Sequence, residues 1–260
     1  MKDTSDMATD SETRLGSGRV KTVVTVVAVL TSLAILLSLG TWQVQRLHWK
    51  EQLLADMMQR RSAPPVTVPE IEALNAQGED IEYRTMTATG TFDHERERHF
   101  FATHEGKTGF YVYTPLMLAD GRALLVNRGF VPYEMKDPAL RLEGQLTGEV
   151  MLTGYARGEL QEKPSAIVPD NDLAKNVFYW KDLSVMASSA GLDAGGVMPF
   201  FMDADASQAN PGGWPQGGVT QFALTNNHLQ YAVTWYGLAG ALVVVVAGVM
   251  WRRKYPATRV

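Results

Sequence analysis

Along most of this chain polar and apolar residues interleave, but two stretches abandon the alternation. Val23 to Trp42 and Tyr231 to Trp251 contain no charged residue. Helical residues rise by ~1.5 Å each, so about twenty of them span the roughly 30 Å hydrocarbon layer of a bilayer. A buried core helix rarely stays uncharged for that length, so both runs are expected to be membrane spans. The first follows Arg14, Arg19 and Lys21 and ends at Trp42, an aromatic suited to the water–lipid boundary. The second is followed at once by Arg252, Arg253 and Lys254, then Arg259 with no acid, whereas residues 220–230 ahead of it carry no charge. Basic residues stay cytoplasmic, which puts the C-terminus inside. Two spans then put both ends inside and residues 43–228 outside.

The first span exceeds the apolar length of a cleaved signal peptide, and Ser38-Leu39-Gly40 is a poor cleavage site, so an uncleaved anchor is expected. Asp3, Asp6, Asp10 and Glu12 in the leader are unlike a mitochondrial targeting peptide. A multi-pass protein of the bacterial inner membrane with a periplasmic central domain is therefore expected, the mitochondrial inner membrane being the alternative. The expected organisation is a leader (1–22), a first span (23–42), an exit helix (43–64), a β-rich domain (65–209), a linker (210–230), a second span (231–251) and a tail (252–260).

Past Trp42 the pattern stays helical until Pro64-Pro65 stops it, with Trp42, Arg46, Trp49 and Leu53 on one face and His48 opposite. The texture then changes. Strands are predicted at 83–92, 98–103, 111–117, 123–126, 149–156, 177–180 and 199–203, with a turn at Asp120-Gly121 and one short helix over 182–190 capped by Asp182. Strands without regular intervening helices point to a mainly antiparallel barrel- or sandwich-like domain. The run 210–218 (NPGGWPQGG) reads as a flexible return to the membrane. Ala34 and Ser38 on the first span, with Gly237 and Ala241 on the second, offer small-residue faces for helix packing.

Chemistry is excluded more readily than assigned. With no cysteine there is no disulfide, zinc ribbon, iron–sulfur cluster or thiol catalysis. A net charge of −4 speaks against a nucleic-acid surface. No phosphate-binding loop, nucleophile elbow or zinc-protease motif is present, and no enzyme is expected. His94, His99 and His104 lie close in sequence, but His99 and His104 fall on opposite faces of one strand, so solvated strand ends are expected rather than a metal site. Asp93, Glu95, Arg96, Glu97 and Arg98 read as an exposed charged turn. Arg128, in Asn127-Arg128-Gly129, reads either as an anion contact or as a buried structural arginine. His228 opens the second span with Tyr231, Ala232, Trp235, Ala239 and Leu242 on its face. That strip suits a haem, with imidazole nitrogen on the iron and the ring on apolar side chains. An interfacial histidine that caps the helix or bonds Asn226 fits the same residues.

A resemblance bears on that choice. Gly40-Thr41-Trp42-Gln43 through Arg46 to Trp49-Lys50 resembles the G-x-W-Q-x-x-R-x-x-W-K exit of the first span in the Surfeit-locus-one family, assembly factors for cytochrome c oxidase. Tyr83-Arg84, Gly90-Thr91-Phe92, Thr114-Pro115-Leu116, Asp120-Gly121, Asn171-Asp172 and Tyr179-Trp180-Lys181-Asp182-Leu183 fit as well. Val126 to Pro132 is similar to the family's V-N-R-G-W-V-P, with Phe130 for the tryptophan. Asn226 to Ala239 is similar to its second-span signature. The resemblance covers about residues 23–251. It implies a protein that helps place haem a in the haem–copper subunit of the oxidase, alongside haem a synthase. It implies His228 as the iron ligand; Tyr231 and Trp235 are nominated with it because they share its helical face. Arg46 and Arg128 are nominated as propionate partners because guanidinium suits carboxylate. A scaffold for oxidase subunits and haem a synthase, without haem contact, is the alternative.

Overall fold

A computed structural model describes residues 5–207, 209–222 and 225–255. Arg259 and the first four residues lie outside the described residues. The chain divides into two compact units, Met1–Leu54 with Leu224–Val260, and Ala55–Ala223. The first is a helix pair, α1 (Ser5–Ser62) and α4 (His228–Lys254). Both helices are long and apolar enough to cross a membrane. α1 runs without a break from the first apolar stretch through the exit segment, and its final turns, from Ala55, belong to the second unit. It stops just ahead of Pro64-Pro65, where residues before proline lose the α conformation.

The second unit is a closed, mostly antiparallel sheet. Its strands are β1 (Val66–Thr67), β2 (Thr85–Phe92), β3 (Arg98–His104), β4 (Lys107–Met117), β5 (Ala123–Pro132), β6 (Glu149–Gly158) and β7 (Val197–Ala204). They are ordered β1-β2-β6-β7-β5-β4-β3, and β2 also pairs with β4 at Thr91↔Met117 and Phe92↔Leu116. That second pairing closes β2-β6-β7-β5-β4 into a ring, with β1 and β3 flanking it. Among the strand pairs of the described residues, β1–β2 and β5–β7 run parallel and the others antiparallel. The interior is filled by alternate residues of the ring, among them Met86, Ala88, Leu116, Leu124, Leu152 and Phe200. α2 (Val68–Ala76) adds Val68 and Ile71 to this core. Its signal was present but unread: Glu70 accepts from Thr67 N and Oγ1 at 2.7 and 2.8 Å, a capping box. A second cluster forms outside the sheet, where α3 (Leu183–Ser189) brings Leu183 and Met186 against Tyr113, Leu125 and Phe201. Asp182 caps α3 by accepting from Val185 N at 3.0 Å, as expected.

Three expectations change. Residues 177–180 form no strand; they make single bridges, Phe178 to Phe100 and Val177 to Asp172. The Asn171 amide oxygen takes the N–H groups of Tyr179 and Trp180, at 2.8 and 3.3 Å, which a ladder would need. β5 continues past Val126 to Pro132 through a bulge where its register against β4 shifts. The 210–218 run is not loose, because Phe130 and Gln216 exchange both backbone hydrogen bonds, 2.9 and 2.8 Å. Gly129, at φ 123°, admits that segment: a Cβ there would sit 1.9 Å from Gln216 O.

Ring closure depends on a second glycine. A Cβ on Gly90 would lie 2.4 Å from the Met117 carbonyl oxygen. Gly90→Ala should therefore cost about 1–3 kcal/mol by overpacking at the seam, whereas Gly195→Ala, with nothing within 4 Å, should be near neutral. Thermal unfolding of the detergent-solubilised variants checks this, and equal midpoints would contradict the closure.

Candidate functional site

The helix pair carries four of the five nominated residues, and a polar seam fixes their geometry. Where α1 meets α4, Gly40 faces Tyr236: a Cβ on Gly40 would lie 2.9 Å from that ring. One residue on, Thr41 Oγ1 and Tyr236 Oη are 3.0 Å apart. Further along, at the head of α4, Gln43 is 9% exposed, and its Oε1 lies 2.7 Å from Nδ1 of His228. Lys50 Nζ donates to the carbonyl of Thr225, tying the segment ahead of α4 to α1. Ala232 and Ala239 are each 3% exposed on α4.

This overturns the expected packing. Gly237 has nothing within 4 Å of a built Cβ, and Ala34, Ser38 and Ala241 are exposed. Small residues do line the contact, as helix association in lipid requires. They are Gly40, Ala232 and Ala239, on the face that the polar bonds select. The strip expected to lie free beside His228 is in part the interhelical seam. Tyr231 stays 53% exposed and Trp235 is half-buried. The half-buried His228 heads α4, and its backbone N–H reaches Asn226 Oδ1 at 3.4 Å. Its imidazole bonds Gln43 instead, which sequence reasoning did not find. Nε2 makes no hydrogen bond among the described residues and is not a buried orphan. Exposed Arg46 stacks its guanidinium 4.3 Å from the centre of the Trp49 ring.

Arg128 belongs to the sheet unit and is 2% exposed. Its guanidinium lies 4.7 Å from the Phe92 ring centre, donates to the Gly144 carbonyl and to Asn210 Oδ1 (2.7 Å), and sits 3.3 Å from His94 Nδ1. Burial pushes it down to about 10, still charged at neutral pH. These contacts match the reading of Arg128 as a buried structural arginine. The motif around it is structural, since Asn127 Oδ1 accepts from Gly129 N (3.1 Å) and its Nδ2 donates to Asp203 (3.0 Å).

The histidines of β3 and its preceding turn are not solvated ends. His99 is buried, 2.8 Å from Glu97, and Glu97 is itself buried against Arg141. The charged turn thus carries one carboxylate inward, because Arg141 supplies a partner from far along the chain. Half-buried His94 donates from Nε2 to the Leu146 carbonyl (2.8 Å) and presents Nδ1 to Arg128. Among the described residues no three His, Asp or Glu side chains assemble a metal site. On the outer face, Asp203 meets Arg157 at 2.8 Å, with half-buried Lys181 above Tyr113 and Phe201. Burial pushes the Asp203 carboxyl up, but Lys181, Arg157 and two hydrogen bonds hold it below the ordinary value.

The profile of the SURF1 family matches residues 30–240, across both apolar helices and the barrel. The chain belongs to the SURF1 family. That family is known for cytochrome c oxidase assembly factors. Surfeit locus protein 1 of Rattus norvegicus is 39% identical over 233 residues, 84% of this chain and 71% of the relative. The Homo sapiens protein of that name is 38% identical over 234 residues, covering 84% and 73%. A SURF1-like protein of Monosiga brevicollis is 37% identical over 240 residues, covering 87% of each. The SURF1 motifs divide between the units: G-x-W-Q and N-N-H-L-Q-Y build the helix seam, and V-N-R-G pins the barrel.

Two outcomes follow. Cysteines replacing Gln43 and His228 in this cysteine-free chain should join through a short bifunctional thiol reagent, while a 38–237 pair should not; the reverse would move the seam to the Gly237 face. For His94, burial first and the neighbouring Arg128 then depress protonation below the ordinary 6.5, against the Leu146 bond. A lowered folded-state value means stability is complete above 6.5 and is lost as pH falls through the lowered value. Thermal midpoints should drop as pH falls below 6.5, and His94→Gln should flatten that drop. An unchanged slope would remove His94 from the account.

Proposed function

We propose that this SURF1 protein is a membrane-anchored biogenesis factor that holds haem a at His228 and helps its insertion into the haem–copper subunit of cytochrome c oxidase. One observation carries the reading: a half-buried imidazole at the head of an apolar helix has one nitrogen engaged and the other without a partner among the described residues. When bound, haem a supplies an iron that takes a neutral imidazole nitrogen. The chain's part is to hold that nitrogen in place and to offer apolar and cationic surroundings. Exposed Tyr231 and half-buried Trp235 supply ring surface, and exposed Arg46 a guanidinium for a propionate. The donor set fits the group on these grounds; Arg128 is not part of it.

The basic Arg252-Arg253-Lys254 end and the uncharged approach to α4 support cytoplasmic termini and an extracytoplasmic barrel, with haem a arriving from haem a synthase at the outer boundary of the bacterial inner membrane. His228→Ala should abolish or strongly weaken haem a binding in protein purified from cells that make haem a, while exposed His48→Ala leaves the visible spectrum unchanged. A His228→Ala protein with the full spectrum would eliminate the ligand. A wild-type protein with no haem would leave the scaffold reading.

A further inference from the structure

Gln43 is the one described residue whose side chain bonds the His228 imidazole. It is buried in a seam that several other contacts already hold: Gly40 against Tyr236, Thr41 to Tyr236, and Lys50 to Thr225. The bond is therefore one of several that bring the helices together at this level. Its distinct consequence is on the ring. A neutral imidazole carries a single proton, on Nδ1 or on Nε2. The Gln43 amide oxygen accepts and cannot donate, so the 2.7 Å contact places that proton on Nδ1. The lone pair is then left on Nε2, the nitrogen with no partner among the described residues.

We infer that Gln43 is the positioning residue of the haem site: it fixes the His228 tautomer and ring orientation so that Nε2 is a ready iron ligand before any haem arrives. This rests on the reading of His228 as the ligand. Metal-binding histidines commonly donate their second ring N–H to a carbonyl or carboxylate, which orients the ring and raises its basicity. Here the acceptor comes from the other helix. Ligand competence is thereby coupled to the pairing of α1 with α4: helices that part lose the tautomer as well as the contact. A carrier that must give up its cofactor gains a release step from this arrangement, since a small separation of the helices weakens the iron ligand without moving the ring's own helix.

The test starts without haem, on the full-length protein in lipid nanodiscs with nitrogen-15 in its histidines. The His228 ring should show the Nδ1–H form in wild type and in Gln43→Glu, whose carboxylate also accepts. Gln43→Leu should shift it toward Nε2–H. Titrated with haem a, Gln43→Leu should bind about 10–100-fold more weakly, the usual cost of losing such a partner. Gln43→Glu should bind within a few-fold of wild type, at a lower reduction potential, because a carboxylate makes the imidazole a stronger donor. A wild-type ring protonated on Nε2 would overturn the inference even if Gln43→Leu failed to fold. So would wild-type affinity and potential in Gln43→Leu while His228→Ala loses haem, and that outcome leaves His228 as the ligand. Full haem binding in His228→Ala would take down the ligand reading and this inference together.

Discussion

An amide–imidazole hydrogen bond between two apolar helices is the contact on which the candidate site depends. In hydrocarbon the hydrophobic effect does not pull helices together, so packing and interhelical hydrogen bonds select the face. Here the face is chosen by Gln43 with His228 and by Thr41 with Tyr236, and Gly40 permits the approach. Once that face is set, Ala232 and Ala239 are buried, while Tyr231, Trp42 and Trp49 stay exposed. One unpartnered imidazole nitrogen remains where an apolar surface meets polar chain.

The barrel obeys a different rule. Its buried charges are matched inside the protein, Glu97 with Arg141 and Asp203 with Arg157. Buried ions persist only where paired or hydrogen-bonded. Arg128 follows the second route, with two oxygens, an imidazole and a phenyl ring in place of a carboxylate. These contacts fasten strands and loops to one another, and motif residues of the SURF1 family such as Asn127, Gly129 and Asn171 add backbone bonds of the same kind. They hold the bulge of β5 and the segment that would otherwise pair as a strand.

The coarse architecture was legible because it rests on local signals. Charge-free runs gave both apolar helices, period-two alternation gave the strands, and Pro64-Pro65 and Asp182 marked helix ends. What could not be read depended on partners distant in sequence. Glu97 looks exposed until Arg141 is placed beside it, 44 positions away. The packing face of α4 was misassigned because Gly237 and Ala239 are both small, and only the bonds from Gln43 and Thr41 distinguish them. Gln43 itself sat inside a recognised motif, yet one helix periodicity cannot reveal that its amide meets a histidine 185 residues on. Thr67 and Glu70 are a local signal for α2, three residues apart like any capping box.

The most direct measurement is a dipolar coupling in lipid bilayers. Carbon-13 at the side-chain carbonyl of Gln43 and nitrogen-15 at Nδ1 of His228 would be observed by magic-angle-spinning NMR. A strong carbon–nitrogen coupling, with the proton on Nδ1, is the result this account predicts. No coupling, with Nδ1 unprotonated, would contradict it.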